Sequence, residues 1–429
     1  MSKYTLVGAT LPDGSKANIV VEGNLIASVG AEIAGTEFDA SNLVALPGFV
    51  DLHTHLREPG FEQSETVLTG SRAAAKGGYT AVHPMANTHP VADTAGVVEQ
   101  VKALGDEAGY VQVQPIGAVT VGLEGAQLAE LGAMADSKAK VRVFSDDGKC
   151  VHDPLLMRRA LAYVKNFGGV IAQHAQEPRL TQNAQMNEGP VSAELGLAGW
   201  TAVAEESIIA RDVLLAETTG SRIHICHVST AGSVDIVRWA KARGIKVTAE
   251  VTPHHLLLTD ELARSYDPVF KVNPPLRAEK DVVALREALV DGTIDIIATD
   301  HAPHPQESKD CEWNAAAFGM LGLETAASIA QLVLIESGAS NWKRLAEVMS
   351  HGPAAISGIE GQGRSLEAGN PANIVLIDPK AKRVIHGGGA SKSANQPYAG
   401  MELPGAVVHT IFRGEFTVQN GELVERGSK

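Results

Sequence analysis

The chain has 429 residues, of which 44% are hydrophobic and 20% charged, globular proportions that leave room for a large core. Its formal net charge of −14, from 36 basic against 50 acidic side chains, offers no basic face on which nucleic-acid phosphates would be neutralised. No run approaches the ~18 apolar residues of a membrane span, and the N-terminal MSKYTLVGATLPDG lacks an apolar signal core. With only three widely spaced cysteines, Cys150, Cys226 and Cys311, the expectation is a cytoplasmic protein that engages neither membrane nor nucleic acid.

Residues 1–46 read as short strands separated by turns: YTLVGAT, the Pro12-Asp13-Gly14 turn, ANIVVEG and NLIASVG. From Pro47 buried strands alternate with amphipathic helices. Eight strands are predicted: GFVDLH ending at His53, YTAVHP near 81, YVQVQPIG near 113, KVRVFS before Asp146, GVIAQH ending at His174, RIHICH ending at His227, IKVTAEV near 248, and TIDIIATD ending at Asp300. Eight is the number of a (β/α)8 TIM barrel. Helices fall between them, such as SETVLTGSRAAAKGG, stopped by Gly77-Gly78, and PLLMRRALAYVKNFGG, opened by Pro154 and closed by Gly168-Gly169.

Beyond the loop HAPHPQESKDCEWNAAAFGMLG, helices are predicted near 323–336 and 342–350, and from about 360 the pattern is β again. ANIVLIDP reads as a strand and AVVHTIFRGEFTVQNGELV as a hairpin with an Asn-Gly turn. The expected fold is α/β: a barrel over 47–359 and a small composite β-sandwich domain built from 1–46 and 360–429, because neither terminal segment could bury a core alone.

In such a barrel the working residues lie at the C-terminal ends of the strands. Five of the eight end in residues that can hold a metal: His53 and His55, Asp146 and Asp147, His174, His227, and Asp300 followed by His301 and His304. Any one alone would be an ordinary loop or cap residue. Four histidines and two carboxylates on one rim make a metal site, and this thiolate-free set suits Zn2+ in a hydrolytic role. Six donors exceed one tetrahedral ion, so two metals sharing a carboxylate are expected, acidifying a water and polarising a carbonyl. Spacing leaves Asp146 and Asp147 both open as the bridge.

Strand parity places His224 and Cys226 on the face opposite His227, with Cys226 a buried strand residue and not a ligand. Arg57 could clamp a carboxylate bidentately, although a lone loop arginine more often makes a surface ion pair. Asn87 and Asn273 could reach the rim or simply cap turns. His254 and His255 are expected behind the ligands, and the long 303–318 loop reads as a substrate cover.

The stretches GFVDLHTHLREPG, GGYTAVHPMANT, FSDDG, TAEVTPHHLLL, KVNPPLR, IATDHAPH and FGMLGLET span nearly the whole chain and closely resemble the type I bacterial dihydroorotases of the amidohydrolase superfamily. Hydantoinase and allantoinase relatives bridge their metals with a carboxylated lysine. The matching position here is Arg142, which cannot be carboxylated, and type I dihydroorotases use an aspartate of the Asp-Asp-Gly turn instead.

The resemblance implies reversible interconversion of (S)-dihydroorotate and N-carbamoyl-L-aspartate in de novo pyrimidine (UMP) synthesis. It implies two Zn2+ per chain bridged by Asp147 and a hydroxide, with His53, His55 and Asp300 on one ion and His174 and His227 on the other. Asp300 would be the catalytic proton carrier. His55, Arg57, Asn87, Asn273 and His304 would contact substrate, with the backbone around Phe318 and Gly319 closing on the ring. A homo-oligomer and an aspartate transcarbamoylase partner are further expectations. Two departures stand out: Met85-Ala86-Asn87-Thr88 for the usual Met-Pro-Asn-Thr, and Ala175-Gln176-Glu177 where Cys-Glu-Asp is common. The alternatives are a hydantoinase or allantoinase, and a non-catalytic scaffold, against which the full set of candidate ligands argues.

Overall fold

The structure, a computed structural model, describes residues 3–425; the outermost residues of the two expected terminal segments, 1–2 and 426–429, lie outside the described residues. All eight expected barrel strands form and run parallel within their sheets. Phe49–Thr54, Tyr79–Pro84 and Gln112–Val113 make one sheet; Val143–Phe144, Val170–Gln173, Ile223–Ile225, Val247–Val251 and Ile296–Ile297 make the other. Single parallel bridges, Gly117 to Phe144 and Thr54 to His301, join the two sheets at their seams. The first two strands are buried along their whole length, as apolar runs covered on both faces must be.

The helices start and stop where local chemistry dictates. Val67–Lys76 opens on a capping box between Thr66 and Thr69 and ends at Gly77, where the Leu323 carbonyl leaves no room for a Cβ. Pro154–Val164 is capped by the Asp153 side chain, and a short 3-10 turn carries it to Gly168 at φ 70°. The two late helices are Ala326–Gln331 and Trp342–Ala346, each continued by a π turn. No helix among the described residues is long and apolar enough to cross a membrane.

The terminal segments share one nine-stranded sheet. Val44–Pro47 pairs antiparallel with Ile374–Val384, matching Leu46 to Val375 and Ala45 to Leu376. The sheet curls over its own core of Leu6, Ile19, Ile26, Ile374, Leu376 and Ile411. Tyr4 closes it, with the rings of Phe38 and Phe416 centred 5.5 and 5.3 Å away. Only Gly48 separates this sheet from the first barrel strand, and its amide donates to the Asn373 carbonyl at 2.9 Å. The strand that ends in His53 is thus anchored at its base by the C-terminal half of the sheet.

Candidate active site

At the rim, Asp147 stands at the centre of the histidines. Its Oδ1 lies 3.3 Å from His53 Nε2, 3.3 Å from His174 Nδ1 and 3.4 Å from His227 Nε2, while Oδ2 lies 3.3 Å from His55 Nε2. Asp300 Oδ1 is 3.1 Å from His55 Nε2 and 3.4 Å from His53 Nε2. Two triads therefore share one carboxylate, His53–His55–Asp147 and Asp147–His174–His227, and within each the ligand atoms lie within 4.8 Å of one another. Asp146 does not join them. Its Oδ1 accepts from the amides of Val119 and Thr120 at 2.8 and 3.0 Å, and its Oδ2 from the Thr120 hydroxyl.

Behind three of the rim histidines, His53, His55 and His174, stands a group that orients each. Glu250 Oε1 lies 2.6 Å from His53 Nδ1, and its Oε2 lies 2.9 Å from His224 Nε2. Asn87 Oδ1 meets His55 Nδ1 at 3.0 Å, so this asparagine, expected on the substrate, supports a rim histidine. Gln176 Oε1 lies 2.7 Å from His174 Nε2 and also accepts from Asn273 Nδ2 at 3.1 Å. Neither Glu250 nor Gln176 was singled out from sequence as an orienting group, although a lone carboxylate inside the apolar run IKVTAEV is a readable signal.

Two parity arguments fail here. Regular strand ends at Ile225, and His227 has a positive φ of 32°, so alternation no longer applies between 224 and 227. His224 is joined to the same cluster through Glu250, and Cys226, expected to face away, is buried within reach of His53 and Glu250. His255 meets the carbonyls of Pro274 and Pro275 at 3.2 and 3.3 Å and so secures the segment carrying Asn273. His254 orients no rim histidine by hydrogen bond: its Nε2 is buried without a partner.

The electrostatics of the cluster call for a cation. Burial would pull the His53 imidazole down, yet Asp147, Glu250 and Asp300 together carry it well above its usual value. Burial likewise favours a neutral Asp147, but His53, His174 and His227 hold it well below the usual carboxylate range, and His53 and His55 hold Asp300 at about 2. Both carboxylates stay ionised beside imidazoles whose buried nitrogens include His53 Nε2, which has no hydrogen-bond partner. A buried donor set of imidazoles and ionised carboxylates, converging on one point where a cation is favoured, fits a divalent metal.

The remaining candidates line one side of the rim. Arg57, at φ 63°, donates from Nε to the Pro303 carbonyl at 3.1 Å; burial lowers its guanidinium to about 10, leaving it charged at neutral pH. His304 Nε2 lies 2.8 Å from the Phe318 carbonyl, which requires a proton on that nitrogen, and burial together with Arg57 lowers its pKa to about 3. Gly319 sits at φ 145°, where a Cβ would come within 2.8 Å of His304 Nε2 and Ala302 Cβ. Asn273 keeps its buried Oδ1 without a partner.

Two buried lysines fasten the 303–318 loop. Lys271 Nζ donates to the Trp313 carbonyl at 2.6 Å and lies 4.4 Å from the Phe318 ring centre. Lys309 Nζ reaches the carbonyls of Pro268, Lys271 and Ala317 at 3.0, 3.0 and 2.7 Å.

Comparison with known proteins agrees with this geometry. The family profile described as Dihydro-orotase-like matches residues 42–233. A dihydroorotase from Streptomyces coelicolor is 66% identical, covering 99% of this chain and 100% of that one; one from Leifsonia xyli subsp. xyli is 65% identical, covering 98% and 97%. Among solved structures, the L-hydantoinase (dihydropyrimidinase) from Arthrobacter aurescens superposes with a TM-score of 0.89 at 25% identity, covering 99% of this chain and 98% of that one.

Proposed function

Because this chain belongs to the dihydroorotase family, enzymes that hydrolyse cyclic amides, we propose that it interconverts (S)-dihydroorotate and N-carbamoyl-L-aspartate in pyrimidine biosynthesis, with two zinc ions at the rim. The observation that carries the reading is the place of Asp147 between two histidine pairs, together with the placement of Arg142. The Arg142 guanidinium donates to the carbonyls of Ala135 and Val141 at 2.8 and 2.9 Å, where a bridging lysine would otherwise be sought. This arrangement favours a dihydroorotase over the hydantoinases that share the fold.

His53, His55 and Asp300 would hold one zinc, His174 and His227 the other, and Asp147 both. Bound there, zinc supplies Lewis acidity toward the attacked carbonyl and an activated water. Arg57 offers a planar fork to the substrate carboxylate, which a lysine could not match. Asp300, ionised and buried, takes a proton from the attacking water during ring opening and delivers it to the departing ring nitrogen; in ring closure it runs the same path backwards. His304 is neutral at working pH, and with its Nε2 proton given to Phe318 it holds the backbone at Phe318 and Gly319 against the ring. Asn273 Oδ1 accepts from a substrate N–H, since its Nδ2 is committed to Gln176.

The division into 47–359 and a composite of 1–46 with 360–429 is supported by the shared terminal sheet and its separate core. Three free cysteines accord with the cytoplasm. A homo-oligomer and association with an aspartate transcarbamoylase complete the reading, and sedimentation with and without that enzyme tests both. Side-by-side turnover of dihydroorotate, hydantoin and allantoin by zinc-replete protein tests the activity. Negligible dihydroorotate turnover would overturn it, and a stoichiometry of one zinc per chain or less would overturn the two-metal site.

A further inference from the structure

The C-terminal segment between the strands Ile374–Val384 and Glu402–Phe412 leaves the terminal sheet and returns to the barrel rim. Glu65, fully buried, accepts from the Lys392 amide at 3.0 Å and from the Ser391 hydroxyl, and the Ser393 hydroxyl donates to the Ser64 carbonyl at 2.6 Å. Asn395 lies beyond these anchors and is 6% exposed. Its Oδ1 accepts from the His304 amide at 3.1 Å, and its Nδ2 donates to the Ala302 carbonyl at 2.9 Å and the Gly319 carbonyl at 3.2 Å. The Asn395 carbonyl accepts from the Leu321 amide at 3.1 Å.

One side chain thus ties both ends of the 303–318 loop to each other. The two ends are also close-packed: a Cβ at Gly319 would lie 2.8 Å from Ala302 Cβ and His304 Nε2 and 3.0 Å from the Ala302 carbonyl oxygen. An asparagine amide, with one acceptor oxygen and two N–H donors, matches the one amide and two carbonyls it meets here.

We propose that Asn395 is a positioning residue for the substrate pocket: the terminal domain sets, through this amide, the spacing between His304 and Gly319 and so the fit of the pyrimidine ring. The proposal rests on the substrate assignment above. Asn395 makes no hydrogen bond to any of the rim ligands, so its effect falls on substrate binding and not on metal loading.

The test uses full-length, zinc-replete N395A, N395D and, as control, K392M, which removes the exposed bond from Lys392 Nζ to the Glu62 carbonyl, 2.6 Å, in the same segment. N395A is expected to raise KM about tenfold or more while kcat stays within about threefold and metal content is unchanged. Amide exchange in peptides spanning 302–304 and 318–321 should quicken. N395D keeps the acceptor for the His304 amide and loses both donors, so it is expected to raise KM as well, and it serves if N395A does not fold. K392M should leave KM at the wild-type value. An unchanged KM in N395A or N395D, a loss shared equally by K392M, or a fall in kcat that tracks loss of metal would each overturn the proposal. If the wild-type protein fails to turn over dihydroorotate while exchange still quickens in N395A, the substrate assignment falls and the positioning role stands.

Discussion

His53 Nδ1 lies 2.6 Å from Glu250 Oε1, and this contact settles which nitrogen of the imidazole faces Asp147. With Nδ1–H given to a carboxylate, the lone pair of Nε2 is left for the rim, and the ring is made a better donor. Replacing Glu250 by Gln is therefore expected to weaken metal binding by about 10–100-fold. Competition with a chelator measures this directly, and an affinity equal to wild type would count against the role given to Glu250.

Neighbouring aspartates should behave differently. Asp147→Asn removes the charge that both histidine triads share, and less than one metal per chain should remain after dialysis. Asp146→Asn keeps one oxygen for the Val119 and Thr120 amides but loses the charge and puts an NH2 where Oδ2 accepts from the Thr120 hydroxyl, so it is expected to cost about 1–3 kcal/mol of stability while metal stoichiometry is retained. Elemental analysis and denaturant melts on the two variants separate these outcomes; equal metal loss in both would contradict the distinction.

Arg57→Lys keeps the positive charge and loses the fork. The expected result is a KM for dihydroorotate about 10–100-fold higher, the worth of a charge-assisted hydrogen bond, with metal content intact. A lysine variant with wild-type KM would mean that Arg57 does no more than hold the Pro303 carbonyl.

Lys309 gives the 303–318 loop a pH signature. Burial, with Lys271 nearby, lowers its ammonium from 10.5 to about 7 in the folded protein. The folded state then binds fewer protons than the unfolded chain between these values, so the contribution of Lys309 to stability rises as pH rises from about 7 to 10.5 and is flat on either side. Denaturant midpoints of wild type and Lys309→Met across pH 6–11 should therefore diverge over that window, wild type gaining relative to the variant. Parallel curves would show that the group titrates normally.

Much of the site was legible because its residues sit where chain periodicity and barrel geometry meet. His53, His55, Asp147, His174, His227 and Asp300 all lie at predicted strand ends, and the structure brings all six together. What misled was parity at short strands. At Ile223–Ile225 only three residues pair regularly, so His224 and Cys226 could not be assigned a face by counting from His227. Asn87, expected on the substrate by resemblance, also meets His55 through its amide oxygen, a contact that strand order could not show.

By itself the sequence determined the alternation of strand and helix, the pairing of the two termini, and the kinds of ligand that crowd one rim, because apolar period and donor chemistry are local properties of the chain. It could not choose between Asp146 and Asp147, which are adjacent and chemically identical. That choice belongs to the tertiary structure: Thr120 and the Val119 amide claim Asp146, leaving Asp147 to face the histidines. The same holds for Glu250, Gln176 and Asn395, whose partners His53, Asn273 and His304 lie 197, 97 and 91 residues away along the chain. Their roles are set by which backbone and imidazole groups the packed barrel leaves in need of a partner, and no local pattern records that.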